Sequence, residues 1–208
     1  MDSPGGASLA CARDMTAHDA AQPRFRLARP VDAEQVAALH AASWRLHYRG
    51  AYADSFLDGN VLADRQAVWS SRLAAAAGSV TVLAEDDRGL AGFVHVILDV
   101  DAEWGSRVDN LHVAHDRLRN GIGTALLARG AQGAIERAAH PAVHLWVLEQ
   151  NAAAQQFYRA CGGACVERAL VPPPGGVPSR LRGAPFGLRF AWPDLSLLAR
   201  RAARLRQV

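Results

Sequence analysis

Residues 108–127 combine a short apolar strand with a loop that contains arginines and glycines, and this loop opens a helix. Unpaired backbone N–H groups at the start of a helix, together with the helix dipole, favour a bound phosphate or pyrophosphate. Gly121 and Gly123 allow the backbone to approach a ligand closely, and Arg117 and Arg119 can add charge-assisted hydrogen bonds. The segment therefore predicts a phosphate-binding loop.

Three kinds of phosphate-binding loop share parts of this pattern. A Walker loop requires Gly-Lys-Ser/Thr, but the chain contains no lysine and its 23 Lys and Arg positions are all arginine. A Rossmann loop would need a third glycine where this sequence has Leu126. The third kind is the coenzyme A loop of acyltransferases.

A second motif lies downstream at residues 145–163. It is a strand that ends at Asn151, then a helix that carries Phe157 and Tyr158 and closes with two glycines. Taken in order, the two motifs resemble the signature of the GNAT N-acetyltransferase superfamily, in which Leu-x-Val precedes Arg/Gln-x-x-Gly-x-Gly/Ala and a strand–Asn–helix follows. The likeness covers residues 24–192 and is strongest from 108 to 163. Leu118 stands where the signature has Arg or Gln, so Arg117 or Arg119 is expected to substitute.

The resemblance implies an α/β fold with one mixed, mostly antiparallel sheet of about seven strands flanked by helices. Acetyl-CoA, as cosubstrate, would lie where two parallel strands, residues 108–113 and 143–148, splay apart. The cofactor-binding residues implied in this way are Leu111, His112, Val113, Arg117, Arg119, Asn120, Gly121, Ile122, Gly123, Thr124, Asn151 and Tyr158.

By the same resemblance, the chain would move an acetyl group to a primary amine by direct attack on the thioester. Tyr158 is the general-acid candidate, because a phenol with a pKa near 10 is protonated at neutral pH and can donate its proton to the leaving thiolate, whose thiol has a pKa near 8.5. Asp109 and His112 are the candidates for the general base, with Glu149 as a further option. Since side chains alternate along a strand, we expect Asp109 and His112 to lie on opposite faces. A non-catalytic acyl-CoA-binding regulatory module is the alternative function.

The acceptor is expected to be a small-molecule amine, although a protein N-terminus is also open. Aromatic and polar residues are concentrated at 43–52, where Trp44, Tyr48 and Tyr52 could line a pocket or pack in the core. The loop 171–187 is the second predicted acceptor segment. Glu103 and Trp104, before the cofactor strand, could also face an amine.

Apolar periodicity and turn residues predict the element order βαα-ββ-βα-βα-ββ for a single domain over residues 24–192. Asp32 and Gln35 predict a capping-box variant at the first helix. Residues 1–23 read as a flexible tail, and residues 193–208 as a basic amphipathic helix. The predicted elements are a strand at 25–27, helices at 32–48 and 57–77, strands at 80–84, 90–100 and 108–113, a helix at 121–139, a strand at 143–148, a helix at 152–161, and strands at 166–170 and 188–192.

Composition excludes several classes of protein. Half of the residues are hydrophobic and 21% are charged, which favours a packed core over disorder. A formal charge of +3 does not by itself indicate nucleic acid. No apolar run is long enough to span a bilayer and no secretory signal is recognisable, so we expect a cytoplasmic protein without a membrane or nucleic-acid partner. A homodimer is left open as its oligomeric state.

The cysteines and histidines do not predict a metal site. The three cysteines, at positions 11, 161 and 165, are an odd and sparse set that fits reduced thiols. His140 and His144 are four apart, as are Cys161 and Cys165, yet neither pair has the tight Cys-x-x-Cys spacing of structural zinc sites. We therefore expect no metal.

Overall fold

The computed structural model describes residues 22–75, 77–192, 194–196, 198 and 200. The helices and strands are β1 (Arg24–Leu27), α1 (Ala33–His47), α2 (Asp54–Asp58), α3 (Val61–Ala74), β2 (Ser79–Asp86), β3 (Gly89–Asp101), β4 (Gly105–Val113), α4 (Ile122–Arg137), β5 (Val143–Leu148), α5 (Ala152–Ala160), β6 (Ala164–Leu170) and β7 (Phe186–Trp192). The order agrees with the predicted one, except that three helices and not two lie between β1 and β2. The predicted tail and C-terminal helix lie almost wholly outside the described residues.

All seven strands form one sheet in the order β1-β2-β3-β4-β5-β7-β6. The β4–β5 pair is parallel, and the other neighbours in this sheet are antiparallel. Parallel neighbours need a crossover, and α4 provides it between β4 and β5. The structure confirms the predicted fold class.

Helices cover both faces of the sheet. Alternate residues of β2 and β3 point to opposite sides, so Leu83 and Phe93 pack with α1 and α3 while Val82 and Val94 pack with α4. We call these the α1 face and the α4 face. Tyr158 of α5 belongs to the core of the α4 face.

Two glycines let α4 lie close to the sheet. A Cβ atom at Gly130 would come within 3.1 Å of Val94 and Val96, and one at Gly133 within 2.9 Å of Val80. Valine side chains of β2 and β3 therefore fill the space that side chains at these two positions of α4 would otherwise occupy. This contact sets the position of α4, whose first turn follows the phosphate-binding loop.

The start of the first helix differs from the predicted capping box. Residues Pro30–Asp32 form a 3₁₀ turn, and α1 begins at Ala33. The Asp32 carboxylate accepts a hydrogen bond from the backbone N–H of Arg29 at 2.7 Å and one from the Gln35 side chain at 2.8 Å. It also binds Arg26 of β1. The Asp32 side chain, which was expected to cap the helix, thus forms an ion pair with a strand of the sheet.

The predicted helical stretch at 57–77 is two helices, of which α2 begins earlier, at Asp54. Among the described residues, no helix has the length and apolar character needed to cross a membrane. Within the same residues, no group of three or more His, Cys, Asp or Glu side chains could hold a metal ion.

Candidate active site

The parallel strands β4 and β5 separate toward their C-terminal ends. They pair only where Ser106 meets Val143 and Arg107 meets His144. Beyond these positions β4 continues to Val113 and β5 to Leu148 without pairing with each other. The backbone edges that face this gap are therefore open to a ligand. We call the gap the splay.

The loop between β4 and α4 lies at the open end of the splay. Arg119 and Gly121 have positive φ angles of 67° and 74°, so the chain turns sharply before the helix. The hydrogen-bond ladder of α4 starts with the Ala125 N–H bonding to the Gly121 carbonyl at 3.0 Å. The N–H groups of residues 122–124 therefore have no partner within the helix and point out at its positive end.

The two glycines of the loop have different surroundings. A Cβ atom at Gly121 would meet nothing within 4 Å, so this residue faces open space. A Cβ atom at Gly123 would lie 3.5 Å from the Phe157 ring and 3.7 Å from Val113. Gly123 is thus wedged between the end of β4 and the helix that carries Tyr158.

The two loop arginines also differ. Arg117 is mostly buried and pairs with Asp86 at 3.1 Å and with Asp116 at 2.6 Å. Arg119 is exposed and forms no ion pair within the described part of the chain. Of the two side chains, Arg119 is the one whose charge is free for a phosphate.

Asn151 starts α5 on the far side of the splay. Its side-chain oxygen accepts a hydrogen bond from the Ala154 N–H at 3.1 Å, which caps the helix. Only the amide nitrogen of this side chain is then left for a ligand. The sequence motif is therefore a helix cap as well as a candidate contact for the pantetheine arm.

Tyr158 is buried on the α4 face, with its ring against Phe190 and Trp192. In the described residues, its hydroxyl forms no hydrogen bond. Burial, followed by the nearby Tyr48 hydroxyl, raises the pKa of Tyr158 well above its usual value. Because Tyr48 belongs to the α1 face, its hydroxyl acts on Tyr158 from the opposite side of the sheet.

A β-bulge changes the direction of Asp109. In the pairing of β3 with β4, Asn110 is opposite His95 while Val108 is opposite Val96, so Asp109 is an extra residue. Its carboxylate binds Arg72 of α3 at 2.8 Å and Arg107 at 3.0 Å. The expectation that Asp109 and His112 lie on opposite faces is therefore wrong, because the bulge breaks the alternation.

His112 faces α1, and its Nδ1 lies 2.7 Å from the Ser43 hydroxyl. Its ring packs against those of His40 and Phe93. Burial, and then the charge of His47, lowers the pKa of His112 to about 3. The imidazole is therefore neutral at physiological pH.

The predicted acceptor segments meet on the α1 face. Ring centroids of Trp44, Tyr48 and Tyr52 lie 5.0–5.3 Å from one another. The loop 171–185 is held against them, because the Ala53 N–H bonds to the Arg180 carbonyl and the Arg182 N–H bonds to the Ala51 carbonyl, both at 2.9 Å. Burial, and then the charge of Asp109, raises the pKa of Tyr48 to about 12.

Comparison with known proteins decides the family. The model of the acetyltransferase (GNAT) family matches residues 35–163. The chain belongs to this family. The match confirms the family and the enzyme class that the sequence motifs predict.

Curated relatives and solved structures agree with this assignment. The chain is 27% identical over 176 residues to "Uncharacterized N-acetyltransferase YuaI" of Bacillus subtilis, covering 83% of this chain and 94% of the relative. It is 30% identical over 139 residues to "Probable N-acetyltransferase Rv2775" of Mycobacterium tuberculosis, covering 65% and 76%. The fold is similar to that of the Thermoplasma acidophilum PaiA N-acetyltransferase, solved with coenzyme A, at a TM-score of 0.62 and 17% identity over 82% of this chain and 99% of that one.

Within this GNAT fold, the structure does not bring every candidate residue to the splay. Glu103 and Trp104 lie in the turn between β3 and β4, at the opposite end of β4 from the phosphate-binding loop. Glu149 is exposed beyond the end of β5 and pairs with Arg168 at 2.7 Å. It borders a cavity of about 300 Å³ that Gly50 and Arg182 also line.

Sequence reasoning missed the charged residues of α3 and of the loop 171–185. Arg65 stacks on Trp44, with 4.2 Å between the guanidinium carbon and the ring centroid, and pairs with Asp64. Arg180 binds the same Asp64 at 2.7 Å. The seven-residue spacing of Arg65 and Arg72 places both on one side of α3, which was the available signal.

Proposed function

We propose that this GNAT protein transfers an acetyl group from acetyl-CoA to the primary amine of a small molecule, which attacks the thioester directly. The observation that carries the proposal is the splay between β4 and β5, with the phosphate-binding loop at its open end. The coenzyme A complex of the structurally similar PaiA N-acetyltransferase supports it. Acetyl-CoA would also place the protein in the cytoplasm, as predicted.

The residues present fit this cosubstrate. Acetyl-CoA supplies the acetyl group as an activated thioester. The free N–H groups of residues 119–124 would hold the pyrophosphate, and Arg119 would add its charge. The backbone of residues 111–113, at the open edge of β4, would pair with the pantetheine arm. The Asn151 amide would bind the same arm from the other side.

Tyr158 would act as the general acid. Its raised pKa keeps the phenol protonated throughout the neutral range. A hydroxyl without a partner in the described residues is free to donate a hydrogen bond to the sulfur as negative charge develops there, and then a proton.

Asp109 and His112 would receive the proton of the amine, and the geometry favours Asp109. Its carboxylate is charged and reaches the α1 face beside Tyr48. His112 would have to take up a positive charge in a buried position, which its pKa of about 3 disfavours. In this proposal His112 contributes its backbone to the cofactor site and its neutral ring to the wall of the acceptor site.

The first test is the thermal unfolding midpoint with and without acetyl-CoA, with NAD and ATP as controls. At a ligand concentration of about 100 times the Kd, binding to the folded state adds about 2.7 kcal/mol to the free energy of unfolding. We expect a shift with acetyl-CoA alone. A folded sample with no shift at saturating acetyl-CoA would overturn the proposal.

The second test is release of the free thiol from acetyl-CoA in the presence of a panel of amines. We expect amine-dependent release, with one acetylated amine formed per thiol. Binding of acetyl-CoA without release on any amine would favour the alternative, a non-catalytic acyl-CoA-binding module.

A further inference from the structure

Two carboxylates on the α1 face are each held between two guanidinium groups. Asp64 binds Arg65 and, at 2.7 Å, Arg180, and we call these three residues the Asp64 group. Asp109 binds Arg72 at 2.8 Å and Arg107 at 3.0 Å, and we call these three the Asp109 group. The residues of the two groups belong to α3, β4 and the loop 171–185.

Both groups lie near Tyr48 and Tyr52 on the α1 face. Asp109 follows Arg107, the last residue of β4 that pairs with β5. Arg65 of the Asp64 group stacks on Trp44, beside Tyr48 and Tyr52. The charge of Asp109 raises the pKa of both tyrosines and the charge of Arg65 lowers it, so both ions act on the same hydroxyls.

The charge balance around this cluster is positive. Four guanidinium groups face two carboxylates, which leaves a surplus of two positive charges. Both carboxylates are already paired with guanidinium groups, so neither is available to bind the ammonium group of a substrate. Asp54 and Asp58 of α2 are exposed and already bind Arg49.

From this arrangement we propose that the acceptor is a primary amine that also carries a carboxylate, as amino acids do. The inference rests on the proposed acetyltransfer and specifies its substrate class. The carboxylate of the acceptor would bind the surplus guanidinium groups, of which Arg72, Arg107 and Arg180 are partly exposed. The rings of Tyr48 and Trp44 would pack against its carbon skeleton.

The same surplus of positive charge would also favour the attack of the amine on the thioester. A cation near a bound ammonium group disfavours its charged form and lowers its pKa. The acceptor would then reach the thioester as a neutral amine, which is the nucleophilic form. Asp109 would then have to take only the proton that the amine loses as it attacks the thioester.

The experiment compares acceptors with and without a carboxylate. Glycine, β-alanine and phenylalanine are each paired with their amides, spermidine is added as a cationic acceptor, and thiol release gives kcat/KM. We expect each acid to exceed its amide by about tenfold or more, as a charge-assisted hydrogen bond to a guanidinium predicts. Spermidine should be the poorest substrate.

Two variants test which guanidinium groups bind the carboxylate of the acceptor. Arg180→Gln and Arg72→Gln remove one guanidinium from each group, and both side chains are partly exposed, so the fold should tolerate them. Arg137→Gln, on the exposed end of α4, is the control for the same change of charge. We expect the acid-to-amide ratio to fall by about tenfold in at least one of the first two variants and to stay constant in the control. Comparing ratios cancels the different basicity of the two amines.

The outcomes separate this inference from the function on which it rests. If amides or spermidine are acetylated as well as the acids, or if neither variant changes the ratio, the carboxylate specificity is wrong and the acetyltransferase stands. If no acceptor releases thiol although acetyl-CoA binds, the proposed function itself fails, and the inference fails with it.

Discussion

The proposed cofactor side and the proposed acceptor side of the splay are built from different kinds of groups. On the cofactor side, one continuous segment, residues 119–124, presents backbone N–H groups, helped by positive φ angles at two residues. On the acceptor side, the contacts come from side chains of α1, α3, β4 and the loop 171–185. Backbone binding depends on conformation, whereas side-chain binding depends on identity and charge.

This difference has consequences for substitution. On the cofactor side the glycines matter most, because a side chain at Gly121 would strain its positive φ angle and a large one at Gly123 would run into Phe157. On the acceptor side, polar residues such as Asp64, Asp109 and His112 have partners, so one change leaves another group unpaired. The two sides should therefore fail in different ways.

Tyr158 lies where the two sides meet, and its removal should have the largest effect. Tyr158→Phe deletes a hydroxyl that has no hydrogen bond in the described structure, so the fold should be kept. We expect kcat to fall by about a hundredfold, typical of a lost general acid, with unchanged affinity for acetyl-CoA. Steady-state thiol release and thermal shift measure the two quantities. Unchanged turnover would remove Tyr158 from the mechanism.

Gly123 tests the cofactor side. Gly123→Val adds branched carbons to a position where even a Cβ atom lies 3.5 Å from Phe157. We expect the Kd for acetyl-CoA to rise by about tenfold to a hundredfold, the range that overpacking costs imply. Gly123→Ala is the matched control, since its methyl group meets only ordinary contacts. Binding by the valine variant at wild-type affinity would mean that the ligand does not pass this position.

Asp109 tests the acceptor side. Asp109→Asn keeps the shape and removes the charge, and we expect kcat to fall by about tenfold, less than typical for a general base because two guanidinium groups already occupy the carboxylate oxygens. His112→Asn should change kcat much less, since its side chain is neutral. The rates of thiol release decide between the two candidates. A larger loss in the histidine variant would transfer the role of base to His112.

How well the sequence predicted each side follows from the same difference. The glycine loop, Asn151 and Tyr158 occur in contiguous motifs, so their order and spacing were enough to indicate the cofactor side. The order of elements could also be predicted, because apolar periodicity is a local property. The helix break at residues 59–60 was not resolved in the prediction, since α2 and α3 are separated by only these two residues.

The acceptor side could be predicted only as two segments. Trp44, Tyr48 and Tyr52 were recognised as aromatic, but their partners Arg65 and Arg180 lie far away in sequence. The bulge at Asp109 was also missed, because it depends on the register between β3 and β4 and not on any residue type. Ion pairs and bulges are properties of the assembled sheet.

The last prediction concerns stability and not activity: the free energy of unfolding should depend on pH through the α1 face. His40, His95 and His112 are buried there, and burial lowers the pKa of His40 well below its usual value, that of His95 to about 4 and that of His112 to about 3. Below about pH 6.5 the unfolded chain binds protons that the folded chain excludes. The free energy of unfolding should therefore fall with acidification, by about 1.4 kcal/mol per pH unit for each such histidine.

Chemical denaturation between pH 7.5 and 5 measures this slope, and hydrogen exchange shows where it acts. We expect α1 and α3 to lose protection before α4, because the three histidines lie in or pack against α1 and α3. His112→Asn should reduce the slope, while His140→Asn, at an exposed position, should leave it unchanged. A free energy of unfolding that stays constant over this range would show that the folded chain accepts these protons. The acceptor side would then be open to water. It would differ from the cofactor side in its residue types alone.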